Sequence, residues 1–309
     1  MSPPRVLIDC DPGIDDTFAL FCALSYSDVA AVTTVSGNVP VEHTTRNAQF
    51  VIELAGAQTP VFLGASAPLK VEPGFAAEVH GSAGLGDRAT PPSSRQVAGD
   101  AVQAIIDYVD AGDAVIVALG PLTNIAQAFL TRPDLPEKVA HLHWMGGSAK
   151  AGNVTPHAEF NSWVDPHAAK IVTDSAAAMT MYGLDLTHQV RLGAKDAASL
   201  RAAATPTSIE AANFLDYYEA NGVKDGNGQP MHDPCAVLGA THPDLFEVVD
   251  SRIVVEVGDE RRGQTTVFDA EPNETHHRAV TADAEAVRRL ILDASISPYP
   301  AATDVGGTL

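Results

Sequence analysis

The stretch Val6-Leu7-Ile8-Asp9-Cys10-Asp11-Pro12-Gly13-Ile14-Asp15-Asp16 joins a short apolar run to four carboxylates. Val6-Leu7-Ile8 predicts a buried strand, Pro12-Gly13 ends it, and Asp15-Asp16 open a helix that continues through Phe18-Ala19-Leu20-Phe21. Acids at a helix start suit its exposed N–H groups and its dipole. Period-two alternation puts Asp9 and Asp11 on the same side of the strand. Two like charges about 4 Å apart repel by roughly 1 kcal/mol in water and about 4 kcal/mol near a protein surface. A partly buried cluster of this kind calls for a cation or for raised pKa values, and a bound metal is the simplest remedy. The plain structural alternative is a turn followed by helix-start acids with no ligand.

Beyond this stretch, short β-branched runs recur at residues 29–36, 61–64, 114–119, 141–145 and 179–184, with helical crossovers expected at 41–55, 97–111, 122–130 and 166–174. Strand-helix alternation of this sort predicts parallel βαβ units, in which ligands gather at the carboxyl ends of the strands. The acidic cluster stands at such an end. Helices follow at 208–220, 234–240 and 284–293, and residues 252–257 and 265–269 read as a hairpin. The fold expected is α/β, one domain over residues 1–309 with a core at about 5–293. Its central sheet is mostly parallel and Rossmann-like, with flanking helices and a C-terminal hairpin. Two loops rich in Gly, Pro and polar residues, 72–94 and 221–231, are candidates for functional lids, and residues 298–309 for a frayed tail.

With 309 residues and 45% hydrophobic content the chain can bury a full core. Its 39 acidic against 19 basic residues give a formal charge of −20, which argues against a nucleic-acid polymer as partner. Cys10, Cys22 and Cys235 are few, odd in number and form no CxxC pair, so a reducing compartment is expected. The start of the chain has no signal-peptide pattern, and no apolar run approaches the roughly 18 residues of a membrane span. The expectation is a cytoplasmic protein without membrane partners.

A second set of polar groups lies at strand ends: Gly37-Asn38, Thr123-Asn124, Gly152-Asn153, Glu159-Phe160-Asn161 and His232-Asp233-Pro234. Singly, each has a structural explanation. Asn38 suits a turn, Thr123-Asn124 a helix start, and both Asp165-Pro166 and Asp233-Pro234 an N-cap followed by proline at N1. Together they resemble the inosine-uridine nucleoside hydrolase family. Its DxDPGxDD signature stands here as Asp9 to Asp16, and VTTVxGN as Val32-Thr33-Thr34-Val35-Ser36-Gly37-Asn38. GPLTNIA stands at 120–126, Met145-Gly146-Gly147 follows, AEFN is at 158–161, Gly183-Leu184-Asp185-Leu186-Thr187 comes next, and HDPCAV is at 232–237.

The resemblance implies a single α/β domain, one Ca²⁺ per chain and a small-molecule ribonucleoside substrate. Asp11, Asp16, Asp233 and the backbone carbonyl of Thr123 would hold the ion, a sensible set because Ca²⁺ takes oxygen ligands in forgiving geometry, whereas zinc prefers His or Cys. Asp11 would be the general base toward a water made more acidic by Ca²⁺. Asp15, Asn38, Asn153, Glu159 and Asn161 would grip the ribose hydroxyls, His232 would protonate the leaving base, and His80 would lie near the base. Family members are commonly dimers or tetramers, so a homodimer or homotetramer is expected. The chain departs from the family upstream of His232, where many members carry spaced aromatics. Here Phe214-Leu215-Asp216-Tyr217-Tyr218 precedes a glycine-rich segment, 219–228, which leaves the preferred base undetermined and Tyr217 and Tyr218 open to a packing role.

Two alternatives remain at this point. One is a non-catalytic relative that binds Ca²⁺ and ribose. The other is a haloacid-dehalogenase-like phosphatase, which also places Asp-x-Asp after an N-terminal strand; that family needs a later lysine, and Pro12-Gly13-Ile14-Asp15-Asp16 does not match its pattern.

Overall fold

In a computed structural model, residues 3–86, 91, 93, 95–112, 114–270 and 275–298 are described. The strands are β1 (Arg5–Cys10), β2 (Asp28–Thr34), β3 (Val61–Leu63), β4 (Ala114–Ala118), β5 (Val139–Met145), β6 (Met179–Tyr182), β7 (Arg191–Leu192), β8 (Gln229–Pro230), β9 (Phe246–Val255), β10 (Thr265–Asp269) and β11 (His276–Ala282). The helices are α1 (Ile14–Tyr26), α2 (Val41–Leu54), α3 (Ala77–His80), α4 (Ala101–Asp110), α5 (Thr123–Thr131), α6 (Phe160–Val164), α7 (Pro166–Thr173), α8 (Leu184–Thr187), α9 (Ala194–Ala203), α10 (Pro206–Asn221), α11 (His232–Thr241) and α12 (Ala284–Ile296).

Nine strands form one sheet in the order β10-β9-β11-β6-β5-β4-β1-β2-β3, parallel from β11 to β3 and antiparallel at β11-β9 and β9-β10. The expected hairpin is the pair β9-β10, although β9 begins earlier than expected, at Phe246.

Side-chain alternation along β1 feeds both faces of the sheet. Val6, Ile8 and Cys10 enter the layer that holds α1, α10, α11 and α12, while Leu7 enters the layer of α4, α5 and α7. A strand covered on both faces reads as an unbroken apolar run, which is why Val6-Leu7-Ile8 was legible. Truncating a fully buried residue such as Leu7 or Ile8 to alanine would cost about 2–5 kcal/mol. Helix α1 is buried from Ile14 to Leu24, and its N-terminus is braced by Asp16, whose Oδ2 accepts from the Gly13 N–H at 2.9 Å.

The strand order reverses at β1, with β2 on one side and β4 on the other. Such a switch point splays the crossover helices to opposite faces and leaves a crevice at the carboxyl ends of the strands. Asp11 follows β1 directly at this place.

Several boundaries differ from expectation for local reasons. Helix α4 starts at Ala101 rather than 97 because Asp100 caps it, accepting from Gln103 N. Strand β6 stops at Tyr182 because Gly183 begins α8. Within the loop 221–231, Gln229–Pro230 pairs with Arg191–Leu192. The tail expected to fray lies outside the described residues, apart from Pro298. Among the described residues no helix is long and apolar enough to cross a membrane.

Candidate active site

A cavity of about 170 Å³ opens at the switch point. Its wall takes Asp15 from α1, Asn38 after β2, Leu119 after β4 and Met145 at the end of β5. Glu159, Phe160 and Asn161 come from the start of α6, Tyr218 from α10, and His232 and Asp233 from α11; Phe75 to His80, with Ala77 excepted, close it from the loop that carries α3. Asn153 and Val154 complete the rim. Of the residues singled out in the sequence, Asp15, Asn38, His80, Asn153, Glu159, Asn161, His232 and Asp233 therefore meet around one space. Asp11, Asp16 and Thr123 are buried and are not among the lining residues.

Asn38 ties the two buried acids to that wall. Its backbone N–H donates to Asp11 Oδ2 at 2.7 Å, and its side-chain Nδ2 donates to the Asp11 carbonyl at 3.1 Å and to Asp16 Oδ2 at 3.2 Å. The other oxygens, Asp11 Oδ1 and Asp16 Oδ1, are buried and have no hydrogen-bond partner among the described residues. Asp11 is packed so closely by backbone that a Cβ on Gly37 would fall 2.0 Å from its Oδ2 and one on Gly120 2.5 Å from its Oδ1, so both positions demand glycine. Carboxylate oxygens of Asp15, Asp16 and Asp233 lie within 4.8 Å of one another. Burial first, and then the neighbouring acids, push these groups up: Asp15 to about 8, and Asp11 and Asp233 well above the usual carboxylate range. Asp16 rises to about 6 through burial, moderated by the hydrogen bonds it accepts.

An all-carboxylate set with two orphaned buried oxygens fits a hard divalent cation, which would satisfy the oxygens and cancel the repulsion. Among the described residues no His or Cys joins the set, as zinc would favour. The acids that converge most tightly include Asp15, which sequence reasoning gave to the sugar, whereas Asp11 is linked to them through Asn38 and Asp16.

One reading of local capping is corrected, and so is the place of Asp9. Asp233 is not an N-cap: that position belongs to Met231, so the Asp233 carboxylate is left for the cavity. Asp9, counted with the cluster in the sequence, is fully buried apart from it, its Oδ1 accepting from Thr33 Oγ1 at 2.6 Å and Asn124 Nδ2 at 2.8 Å. Asp165 does cap α7, accepting from Ala168 N, and its Oδ2 also accepts from the Thr123 hydroxyl at 2.8 Å and from Leu69 N. Thr123 is thus clamped at the first position of α5.

The sugar-gripping candidates are likewise anchored on the protein side. Asn161 Nδ2 donates to the carbonyls of Leu119 and Met145, and Asn153 Oδ1 accepts from Phe160 N. Glu159 is the N-cap of α6 and accepts from the N–H groups of Gly147, Asn161 and Ser162; burial nevertheless raises it to about 7.

The two cavity histidines are held differently. His80 Nδ1 accepts from the backbone N–H of Ile14 at 3.1 Å, which leaves its hydrogen on Nε2, and burial holds its pKa at about 4. His232 Nδ1 faces the Thr187 hydroxyl at 2.7 Å, and burial, with smaller effects of His188, His80 and Arg191, holds its pKa at about 3. Sequence reasoning did not single out Thr187 as a side chain, nor Phe75, Val79, Met145 and Phe160. Tyr218, left open there, lines the cavity with its ring 5.8 Å from that of His80.

Comparison with known proteins gives a consistent picture. The family model for inosine-uridine preferring nucleoside hydrolase matches residues 6–289. A protein of Shewanella sp. (strain ANA-3) named pyrimidine-specific ribonucleoside hydrolase RihA is 38% identical over 278 residues, 87% of each chain. Among solved structures, a plant nucleoside hydrolase superposes with a TM-score of 0.89 at 32% identity, covering 96% of this chain and all of its own. A purine-preferring ribonucleoside hydrolase from Gardnerella vaginalis also gives 0.89 at 32% identity, covering 95% of this chain and 98% of that one.

Proposed function

The chain belongs to the inosine-uridine preferring nucleoside hydrolase family and hydrolyses the N-glycosidic bond of ribonucleosides; on that premise we propose that Asp11 is the general base and that one Ca²⁺ sits among Asp11, Asp16, Asp233 and the backbone carbonyl of Thr123. The observation that carries this reading is the pair of buried, partnerless oxygens, Asp11 Oδ1 and Asp16 Oδ1, behind a cavity walled by amides, carboxylates and histidines. When bound, the cation supplies the positive charge that draws a sugar diol and acidifies water.

The chain's own groups do the rest. Asp15, Asn38, Asn153, Glu159 and Asn161 hold the ribose hydroxyls, the asparagines through the amide atoms not already committed to backbone. Water oxygen bonds to the anomeric carbon while its proton passes to Asp11. The C1′–N bond breaks, its electron pair goes to the base nitrogen, and His232 protonates that nitrogen. The negative wall favours the cationic, oxocarbenium-like sugar of the transition state. His80 offers an Nε2–H beside the base, and exchange with solvent returns the protons. The protein acts as one domain over the core 5–293, in the cytoplasm, as a homodimer or homotetramer. Three free, buried cysteines accord with a reducing compartment. The Shewanella relative is named pyrimidine-specific and the Gardnerella structure purine-preferring.

The phosphatase alternative needs Asp9 and Asp11 in one site. Asp9 instead gives its Oδ1 to Thr33 and Asn124 and is not among the residues lining the cavity. The deciding experiment for the mechanism is Asp11→Asn, assayed by release of reducing sugar. A folded variant slowed by about 10²–10⁴-fold is expected, and near-wild-type turnover would refute the assignment of the base.

A further inference from the structure

The segment Gly183-Leu184-Asp185-Leu186-Thr187 has no role in the mechanism so far, yet it is tightly placed. Leu184 N donates to the Gly147 carbonyl, and Asp185 Oδ1 accepts from Ala149 N at 3.0 Å, so α8 is pinned to the loop after β5. Its last residue, Thr187, is fully buried and puts its hydroxyl 2.7 Å from His232 Nδ1. With Nδ1 engaged there and the ring on the cavity wall, Nε2 is the nitrogen available to a ligand.

We infer that Thr187 is a positioning residue: its hydroxyl holds Nδ1 of His232 so that the Nε2 edge of the ring is presented to the departing base. This rests on the role given to His232 above.

The contrast with His80 shows why a hydroxyl suits the task. At His80 the partner of Nδ1 is a backbone N–H, which can only donate, so that ring keeps one protonation pattern. A hydroxyl both donates and accepts, so the Thr187 contact with Nδ1 holds whichever way the ring's hydrogens sit. When the C1′–N electron pair moves to the base nitrogen, the Nε2 proton follows it and water returns a proton to Nε2, and the ring need not turn during the cycle.

The test compares inosine or uridine, whose bases need a proton to leave, with p-nitrophenyl riboside, whose phenolate needs little. In Thr187→Val the nucleoside-to-p-nitrophenyl rate ratio should fall by about tenfold through kcat, with KM little moved. Thr187→Ser, which keeps the hydroxyl, should retain the wild-type ratio. A wild-type ratio in Thr187→Val, or a collapsed ratio in Thr187→Ser, overturns the inference. Nitrogen-15 spectra of the unsubstituted enzyme give a readout that needs no variant to fold: a His232 Nδ1 that takes part in no hydrogen bond also overturns it. His232→Ala separates the two levels of argument. If it leaves the ratio unchanged, the role of His232 itself is wrong; if it lowers the ratio while Thr187→Val does not, only the role of Thr187 is lost.

Discussion

Removing the divalent cation should make the protein's stability fall as pH rises, and adding Ca²⁺ should abolish that fall. Carboxylate oxygens of Asp15, Asp16 and Asp233 lie within 4.8 Å of one another, and at that separation each ionised pair would repel by about 3 kcal/mol at an effective dielectric near 20. Three such pairs approach the whole stability of an ordinary domain, roughly 5–15 kcal/mol. The cation-free protein therefore keeps protons in the cluster: burial raises Asp16 to about 6, and burial, with the neighbouring Asp16 adding to it, raises Asp15 to about 8. A carboxyl raised in the folded state binds more protons there than in the unfolded chain. Its stability contribution is full below the unfolded value of 3.8 and is lost as pH climbs toward 6 for Asp16 and 8 for Asp15. Each proton so held gives a slope of up to about 1.4 kcal/mol per pH unit. Calcium must displace these protons, so it should bind more tightly at pH 8 than at pH 6. At about 100 times its dissociation constant it adds about 2.7 kcal/mol, worth about 4 °C in Tm for a chain of 309 residues. Thermal unfolding of metal-stripped protein across this pH range, with and without Ca²⁺, measures both effects. Asp233→Asn should weaken the Ca²⁺ response and flatten the slope of the stripped protein. A Tm indifferent to Ca²⁺ at pH 8, or a stripped protein that is more stable at pH 8 than at pH 6, would refute the reasoning.

Other outcomes follow from single contacts. Ribonucleosides should exceed their 2′-deoxy counterparts in kcat/KM by on the order of 10²-fold or more, because polar groups built to meet a hydroxyl go unpaired without it; equal rates on inosine and 2′-deoxyinosine would remove the sugar-gripping assignments. Glu159, raised by burial to about 7, contributes stability below its unfolded value of 4.5 that is lost as pH rises to 7, so Glu159→Gln should show a shallower stability slope over that interval in denaturant titrations. Asp165→Ala takes acceptors from Ala168 N, Leu69 N and the Thr123 hydroxyl at once, and should cost about 3 kcal/mol, seen as a Tm lower by about 5 °C.

Much of the architecture was legible because parallel strands buried on both faces write themselves as apolar runs. The elements that escaped notice lack that mark. Strand β11 reads His276-His277-Arg278-Ala279-Val280-Thr281-Ala282, with His276 buried and Ala279 the buried apolar residue, and it exists because β6 and β9 flank it from far away in sequence. Helix α9 buries little more than Ala197 and Leu200, too sparse a stripe to show a period. In the site, residues following strand ends could be placed from topology alone. Thr187 and Tyr218 could not, since the first is defined by a partner 45 positions away and the second by a ring contact with His80. The N-cap reading of Asp233 failed because Asp233-Pro234 imitates a capping pair, while the helix in fact begins two residues earlier, at His232 rather than Pro234.

On the proposed assignments the sugar site and the cation site share one amide, Asn38. Asn38 gives its backbone N–H to Asp11 and its Nδ2 to Asp11 and Asp16, so only Oδ1 is left to accept from a ligand. Asn161 gives Nδ2 to Leu119 and Met145 and likewise keeps Oδ1, whereas Asn153 commits Oδ1 to Phe160 N and keeps Nδ2. Each amide is thus oriented before a sugar arrives, and the cavity offers acceptors at two places and a donor at a third. Polar groups fixed in advance lose little on reorganising when charge develops on the sugar, which is the condition under which they favour the transition state over the ground state. Because Asn38 also braces the two acids whose outer oxygens lack partners, ordering the proposed cation site would order one side of the proposed sugar site, and the two would meet at the Asp-Pro-Gly turn after β1.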